Sequence, residues 1–348
     1  MKVIGVMSGS SLDGLDIATV QFEDAAGNWK IVSAETIALP DDISTSLSRI
    51  TEMTAIEIAK TEYAYSSYIG KAIEQHIETH GTVDLVGIHG HTVLHLPDFQ
   101  TSWQLLNAGM IASMISVPIV TDFRNQDMAL GGQGTPMAVI ADRDLFPGYD
   151  YYVNLGGIAN ISYVRDNSWL AYDVCPCNQL LNHYSKQLGH AYDKGGLLAE
   201  TGAVNKTLLD HLLSDPFIKR QPPKSIDNSW IQKEIIPSID GIASKPVDIL
   251  RTITEYISMV ITDQVHSSGK ILFTGGGSYN THMMSRIETL AHNYNAECVI
   301  PANQIVDYKE SLLIAYASIL RYQGKPNFIA SATGASNSVS GGSVYIAR

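Results

Sequence analysis

Residues 3–20, VIGVMSGSSLDGLDIATV, restrict the folds open to this chain more than any other stretch. Val3, Ile4 and Val6 read as an apolar strand, Ser8, Gly9, Ser10 and Ser11 as a tight turn of small polar residues, and residues 15–20 as an alternating return strand. Glycine allows close approach that a side chain would block, so such a turn can aim several backbone N–H groups at a phosphate. Taken alone, the stretch fits an ordinary N-terminal hairpin equally well. Its recurrence shifts the balance. Residues 151–164, YYVNLGGIANISYV, again run strand, glycine turn (Gly156, Gly157) and return strand, and residues 271–280, ILFTGGGSYN, end a short strand on a third glycine turn.

Two such units opening two halves, with a later Gly-Gly-Gly turn, resemble the layout of the actin-like and hexokinase-like ATPases. There, two hairpins grip the phosphates from opposite lobes and a glycine turn lies against the adenosine. Neither GxxxxGK[ST] nor a strand-linked GxGxxG competes with this reading. The resemblance implies an α/β fold of two duplicated ribonuclease H-like lobes, with mixed sheets flanked by helices and an interlobe active-site cleft. The expected division is a first lobe at 1–127, with a C-terminal return of about 330–348, and a second lobe at 128–329.

At 348 residues and 45% apolar composition, the chain can bury a core in each of two domains. A net charge of −12, with no basic run longer than a pair, argues against nucleic acid or an anionic membrane as partner. Phosphate must then be held by backbone amides, helix termini and a metal. The N-terminus lacks the long apolar core of a signal peptide, and no stretch approaches the roughly 20 apolar residues of a membrane span, so the expected location is cytoplasmic. Cys175, Cys177 and Cys298 are the only cysteines; the CPC spacing is too tight for a zinc pair, and free thiols are expected.

Along the chain, residues 29–39 read as a strand, 43–50 and 55–80 as helices, and 85–89 as a strand. HGHTVLHLP, residues 89–97, holds His89, His91 and His95; its alternation suits a strand or turn edge that hydrogen-bonds substrate or lies on the surface, rather than a metal site. Residues 103–106 and 118–122 read as strands around a helix at 108–115. Residues 121–138, TDFRNQDMALGGQGTPMA, then gather acidic, basic and glycine residues between a strand end and a helix start, where ligands collect in open α/β sheets. In the second half, a strand at 169–173 ends on Asp173 before a helix at 178–187; that carboxylate points into the expected cleft or caps the helix. Residues 208–230 read as a helix and an extended proline segment on the outside, and 247–264 as a long amphipathic helix. Lys309 and Glu310 head a further helix, an acidic position that the helix dipole also favours.

With these residues in place, the chain resembles the anhydro-N-acetylmuramic acid kinases, bacterial sugar kinases of the actin-like superfamily, nearly end to end. MSGSSLDGLD is similar to the family's MSGTSLDG-D turn, HGHTVLHLP to HGQTV-H-P, and DFRNQDMALGGQGTPM to DFR--D-A-GGQGAPL. NLGGIANIS is identical to the second phosphate turn, GGGSYN is similar to GGG--N, and KESLLIAYA to KEALAFAWLA; PPKS at 222–225 and TGAS at 333–336 also have counterparts.

The resemblance implies ATP phosphates on Ser8, Gly9, Ser10, Ser11, Leu12, Asp13, Gly14, Asn154, Gly156 and Gly157, and adenosine on Gly275, Gly276, Gly277 and Asn280. It implies sugar on His89, His91, Arg124, Asp127, Gln133 and Asn178, with Arg124 near an acidic lactyl group. Asp173 falls on the general base and Glu310 on a second substrate carboxylate. Mg²⁺ is expected to bridge the phosphates, with Asp13 either holding a metal-bound water or capping its own turn. The implied partners are ATP and an anhydro-amino sugar, and the implied assembly is a homodimer.

The expected reaction opens 1,6-anhydro-N-acetylmuramic acid and phosphorylates its 6-oxygen, giving N-acetylmuramic acid 6-phosphate in cell-wall recycling. Departures from the family gather on the sugar side. Val174, Cys175 and Cys177 replace a threonine and two glycines, Ala108 an aspartate, and residues 226–229 read IDNS for TGRE. They keep open a kinase of a different sugar or amino sugar, or a catalytically silent sugar or ATP sensor.

Overall fold

The structure is a computed structural model that describes residues 1–346 except 10, 11, 13, 24–27, 223 and 227, and the backbone alone of Asn228. Two compact units divide the chain: Met1–Pro147 with Tyr308–Arg348, and Gly148–Asp307.

The first unit holds β1 (Lys2–Ser8), β2 (Leu15–Phe22), β3 (Trp29–Ile37), β4 (Leu85–Ile88), β5 (His91–Leu96), β6 (Thr101–Leu105) and β7 (Ile119–Thr121). β3-β2-β1 form an antiparallel meander that continues in parallel through β4 and β7, and the C-terminal strand Ser343–Tyr345 closes the sheet antiparallel to β7. β5 and β6 form a separate hairpin. The period-two pattern of β1 and β2 buries Ile4, Val6, Leu15 and Ile17 against Tyr65, Ile69 and Ile73 of the helix Ala55–His80. Each such aliphatic side chain contributes about 1.5–3 kcal/mol on burial. That helix starts at a capping box, in which Thr54 and Glu57 satisfy each other's backbone N–H groups, and stops at Gly81, whose φ of 87° no β-branched residue would adopt readily.

The opposite face of β1 and β4 receives the helix Asn303–Tyr322. A Cβ on Gly5 would lie 1.8 Å from the Ser311 carbonyl oxygen, and one on Gly87 2.0 Å from Ser318 Oγ, so the sheet must lack side chains there. Two helical segments meet at Tyr308 (φ −117°, ψ 18°), and Lys309 and Glu310 head the second of them, as the sequence leads one to expect.

The second unit holds β8 (Tyr151–Leu155), β9 (Ile158–Arg165), β10 (Ser168–Pro176), β11 (Gly269–Thr274) and β12 (Ala296–Val299). Its order, β10-β9-β8-β11-β12, repeats that of β3-β2-β1-β4-β7, with the same antiparallel triplet and parallel continuation. The fold is therefore the α/β duplication of ribonuclease H-like lobes. The helix Pro246–Thr262 fills this core with Ile249, Leu250, Ile253, Ile257 and Ile261.

The unit boundaries fall at Pro147 and Tyr308, whereas the sequence reading set them at 127 and about 330. Side-chain ties account for the first unit's wider reach. Lys309 Nζ pairs with Asp142 at 2.6 Å, Trp29 Nε1 donates to the Leu145 carbonyl at 3.1 Å, and the Tyr316 hydroxyl donates to Asp144 at 2.8 Å. All three cysteines are free thiols, and among the described residues no helix is long and apolar enough to cross a membrane.

Candidate active site

In the first unit, the loop from β1 to β2 carries the expected phosphate turn. Ser10, Ser11 and Asp13 lie outside the described residues, so the metal expected at Asp13 does too. Leu12 N donates to the Gly9 carbonyl, with Leu12 in the left-handed region at φ 57°, and a Cβ on Gly14 would lie 2.6 Å from Thr36 Cγ2. Beside this loop, Ser8 Oγ and the Tyr65 hydroxyl are buried next to each other, and His91 Nδ1 is buried without a hydrogen-bond partner among the described residues. The Tyr65 ring meets the His91 ring edge-on at 6.5 Å, and burial pushes its phenol up to about 12. Buried polar groups of this kind are rare unless a ligand or water serves them. Tyr65 escapes sequence reasoning because it sits on the apolar face of a helix, where an aromatic reads as core.

His89 donates from Nδ1 to the Gly90 carbonyl, which can only accept; Nε2 is thereby left to accept from Arg124 Nε at 3.1 Å. Burial, and then the Arg124 charge, hold His89 down to about 3, so it stays neutral. Burial lowers Arg124 itself to about 10, while the Glu310 carboxylate pulls it back up. His89 and His91 are buried and His95 is half-buried, which corrects the surface alternative for this segment. Lys309 turns inward to Asp142 and over the Phe146 ring, at 5.4 Å, and leaves Glu310 exposed.

Asp127 is fully buried. Its Oδ1 accepts from the Thr333 hydroxyl at 2.7 Å and its Oδ2 from Gly134 N at 2.8 Å, while Gln133 N donates to the Thr333 carbonyl. The GGQG and TGAS segments, distant in sequence, are thus tied through one carboxylate whose oxygens are engaged with the protein. Replacing Asp127 with alanine is expected to cost about 2–3 kcal/mol, because two buried donors lose their acceptor. Thermal unfolding measures this, and an unchanged Tm would contradict it.

In the second unit, the Gly156 carbonyl accepts from Asn178 N, and the Gly157 carbonyl accepts from Cys177 N and Gln179 N. The Asn178 side chain donates to the Leu155 carbonyl at 2.9 Å. The turn is therefore clamped to the start of the helix Asn178–Gln187, and among the described residues nothing accepts from the N–H of Gly156 or Gly157. The glycine turn expected to meet adenosine packs on it directly. A Cβ on Gly275, at φ 82°, would lie 2.5 Å from Asn154 Oδ1, and one on Gly277 2.7 Å from Leu155 Cβ. Asn280 caps the next helix through Met283 N, and Gly196 approaches so closely that a Cβ there would lie 2.2 Å from Asn280 Oδ1. The 193–196 loop thereby joins this turn; its paired glycines were its only sequence signal.

Asp173 does not end its strand. β10 runs on to Pro176 through a bulge between Asp173 and Cys175, a device that re-aims a side chain. Its carboxylate is half-buried and accepts from Ile226 N at 2.8 Å, while Asp173 N donates to the Lys224 carbonyl at 3.1 Å. Burial raises this carboxyl to about 6, against the Ile226 N–H and the Lys224 charge, which lower it. The segment that holds Lys224 and Ile226 is thus not outer decoration. Lys224 is buried over Tyr172 and Phe217, donates to the carbonyls of Phe217 and Ile218, and secures the strap that covers Asp173. Val174, Cys175 and Cys177 are fully buried in the second unit's core, and burial pushes both thiols up, Cys177 to about 12. These departures from the family pattern act as core packing.

Two copies of one sheet order, each opened by a hairpin with a small-residue turn, define the class as the two-lobed actin/hexokinase-like fold. A sequence model of the family described as anhydro-N-acetylmuramic acid kinase matches residues 1–347. The chain belongs to this family. It is 30% identical to an anhydro-N-acetylmuramic acid kinase of Mannheimia succiniciproducens, with 98% of each chain covered. It is 31% identical to those of Pasteurella multocida, covering 99% of this chain and 97% of the relative, and Vibrio cholerae, covering 98% and 97%. Among solved structures, a ROK family glucokinase from Streptomyces griseus in complex with glucose and AMPPNP aligns over 92% of this chain and 99% of its own, at 15% identity and a TM-score of 0.44. Component A of the (R)-2-hydroxyglutaryl-CoA dehydratase of Acidaminococcus fermentans aligns over 91% and 97%, at 13% identity and a TM-score of 0.47.

Proposed function

We propose that this chain is an ATP-dependent kinase that hydrolytically opens 1,6-anhydro-N-acetylmuramic acid and phosphorylates its 6-oxygen, giving N-acetylmuramic acid 6-phosphate. The observation that carries the mechanism is Asp173: a carboxylate held by one backbone N–H and raised to about 6 by burial is a stronger base than a free aspartate, yet is mostly ionised at neutral pH. Asp173 takes a proton from the water whose oxygen attacks the anomeric carbon. The bond from that carbon to the bridging oxygen breaks, and the released 6-oxygen accepts the γ-phosphoryl group as ADP leaves. A glycosidic leaving oxygen ordinarily needs an acid to protonate it; here phosphorus takes the place of that proton. Glu310 and Arg124 engage the sugar, the latter through its acidic lactyl group.

ATP phosphates rest on the turn from Ser8 to Gly14 and on Asn154, Gly156 and Gly157. The support for the second turn is that its two glycine N–H groups have no protein acceptor among the described residues. Adenosine lies on Gly275, Gly276, Gly277 and Asn280. None of the segments 8–14, 154–157 and 275–280 contains a lysine or arginine, which fits phosphates that arrive with their own divalent cation. Mg²⁺, with Asp13 holding it through water, would neutralise charge on the transferring group.

Because the base must be ionised, kcat/KM is expected to fall as pH drops through about 6, approaching tenfold per pH unit below it. An acid limb near the ordinary aspartate value, about 4, would contradict the burial argument. The function itself is tested with a panel of anhydro-sugars, with and without the N-acetyl and lactyl groups, in Mg-ATP. The expected result is ADP formation and a phosphorylated, ring-opened product for the sugar that carries both groups. Turnover of a free sugar alone would make the chain a plain hydroxyl kinase, and no turnover of any sugar would make it a sensor.

A further inference from the structure

Away from every group used above, Glu35, His76 and His80 bring three metal-ligating atoms within 4.8 Å of one another. We propose that these side chains form a binding site for a divalent transition ion of the zinc class, clipping β3, the edge strand of the first unit's sheet, to the end of the helix Ala55–His80.

His76 and His80 lie one helical turn apart, so their rings project from the same face, and their centroids stand 4.5 Å apart. Glu35 reaches the pair from β3, and its carboxylate meets His76 Nδ1 directly. Two imidazoles and one carboxylate are a donor set suited to zinc and its neighbours, not to the oxygen-rich shell of Mg²⁺.

The second sphere is already built. His76 is fully buried, with Nε2 2.9 Å from Thr19 Oγ1 and 3.2 Å from Ser33 Oγ, so this nitrogen can donate to a hydroxyl while Nδ1 faces the ion. Tetrahedral ligands at about 2.0–2.2 Å from an ion stand roughly 3.4 Å from one another. His80 is exposed and Glu35 part-exposed, so around the fixed His76 the former can close to that spacing and the latter, now in direct contact with Nδ1, can open to it. Lys2 Nζ donates to the His80 carbonyl at 2.9 Å and is a nearby cation.

The test is titration of the metal-free full chain, without nucleotide, at neutral pH, with Zn²⁺ followed by calorimetry and Co²⁺ by visible absorption. The expected result is one ion per chain and a Tm that rises with Zn²⁺. His80→Ala and Glu35→Gln should each weaken binding by at least roughly tenfold, since loss of even an outer-sphere partner costs that much. His80 is exposed, so the metal-free Tm of His80→Ala should equal that of the parent. No binding by the parent, or equal binding by the parent and both variants, would overturn the site.

Discussion

Asp173→Asn is expected to lower turnover by roughly 10²- to 10⁴-fold, the contribution of a positioned base, while ATP affinity stays near normal. The substitution keeps the shape of the side chain, and its amide oxygen can still accept from Ile226 N–H, so this tie stays in place. Stability should move the other way. A carboxyl whose pKa is raised to about 6 binds its proton more tightly in the folded than in the unfolded chain, so stability falls as pH rises from about 4 to 6 and the penalty is complete above that range. Removing the charge therefore relieves on the order of 1–2 kcal/mol at neutral pH, and the Tm of the variant should not drop. This is the pattern of a site whose chemistry is held against the fold's own preference. Parent-like turnover would remove Asp173 from the mechanism, and a large fall in Tm would mean that its ionised form supports the fold.

The largest effect on stability is expected from Lys309→Met. The Lys309–Asp142 pair is buried at 2.6 Å, and taking away the ammonium leaves a buried carboxylate without its counter-ion, a change that costs about 3 kcal/mol or more. The double variant Lys309→Met, Asp142→Leu should recover most of that loss, because an apolar pair of similar volume escapes the desolvation penalty. Chemical denaturation of both variants measures this, and a double variant as unstable as the single would contradict it. Activity reports the neighbour. On the proposed role of Glu310 in engaging the sugar, the single variant at its neighbour should raise the KM for sugar more than that for ATP.

Much of the architecture is legible in the sequence for simple reasons. The short apolar runs at Val3, Ile4 and Val6 and at Tyr151 to Leu155, each ended by a turn of small residues, have the length of buried strands, and the apolar spacing over Ala55–His80 and Asn178–Gln187 has the period of a helix; the structure has all four. The glycine turns are legible because close approach leaves no alternative at Gly275 and Gly277. What stays hidden depends on partners far away in sequence. A proline-rich stretch around Lys224 reads as surface until Tyr172 and Phe217 are seen to enclose its ammonium. The helical segment before Tyr308 is hidden by the break there, and the passage of β10 beyond Asp173 by a bulge that has no sequence signature. Asp127 is legible as a site-region carboxylate, but only Thr333 and Gly134 reveal that it holds a loop.

The claim on which the account turns is that the oxygen leaving the anomeric carbon is the one that accepts phosphorus. Anhydro-N-acetylmuramic acid labelled with oxygen-18 in its 1,6-bridge tests this directly, with Mg-ATP and phosphorus NMR of the product. The prediction is that the label lies in the carbon–oxygen–phosphorus linkage at position 6 and shifts the phosphorus resonance. A phosphate ester without the label, or a phosphorylated product with its bridge still closed, would contradict it.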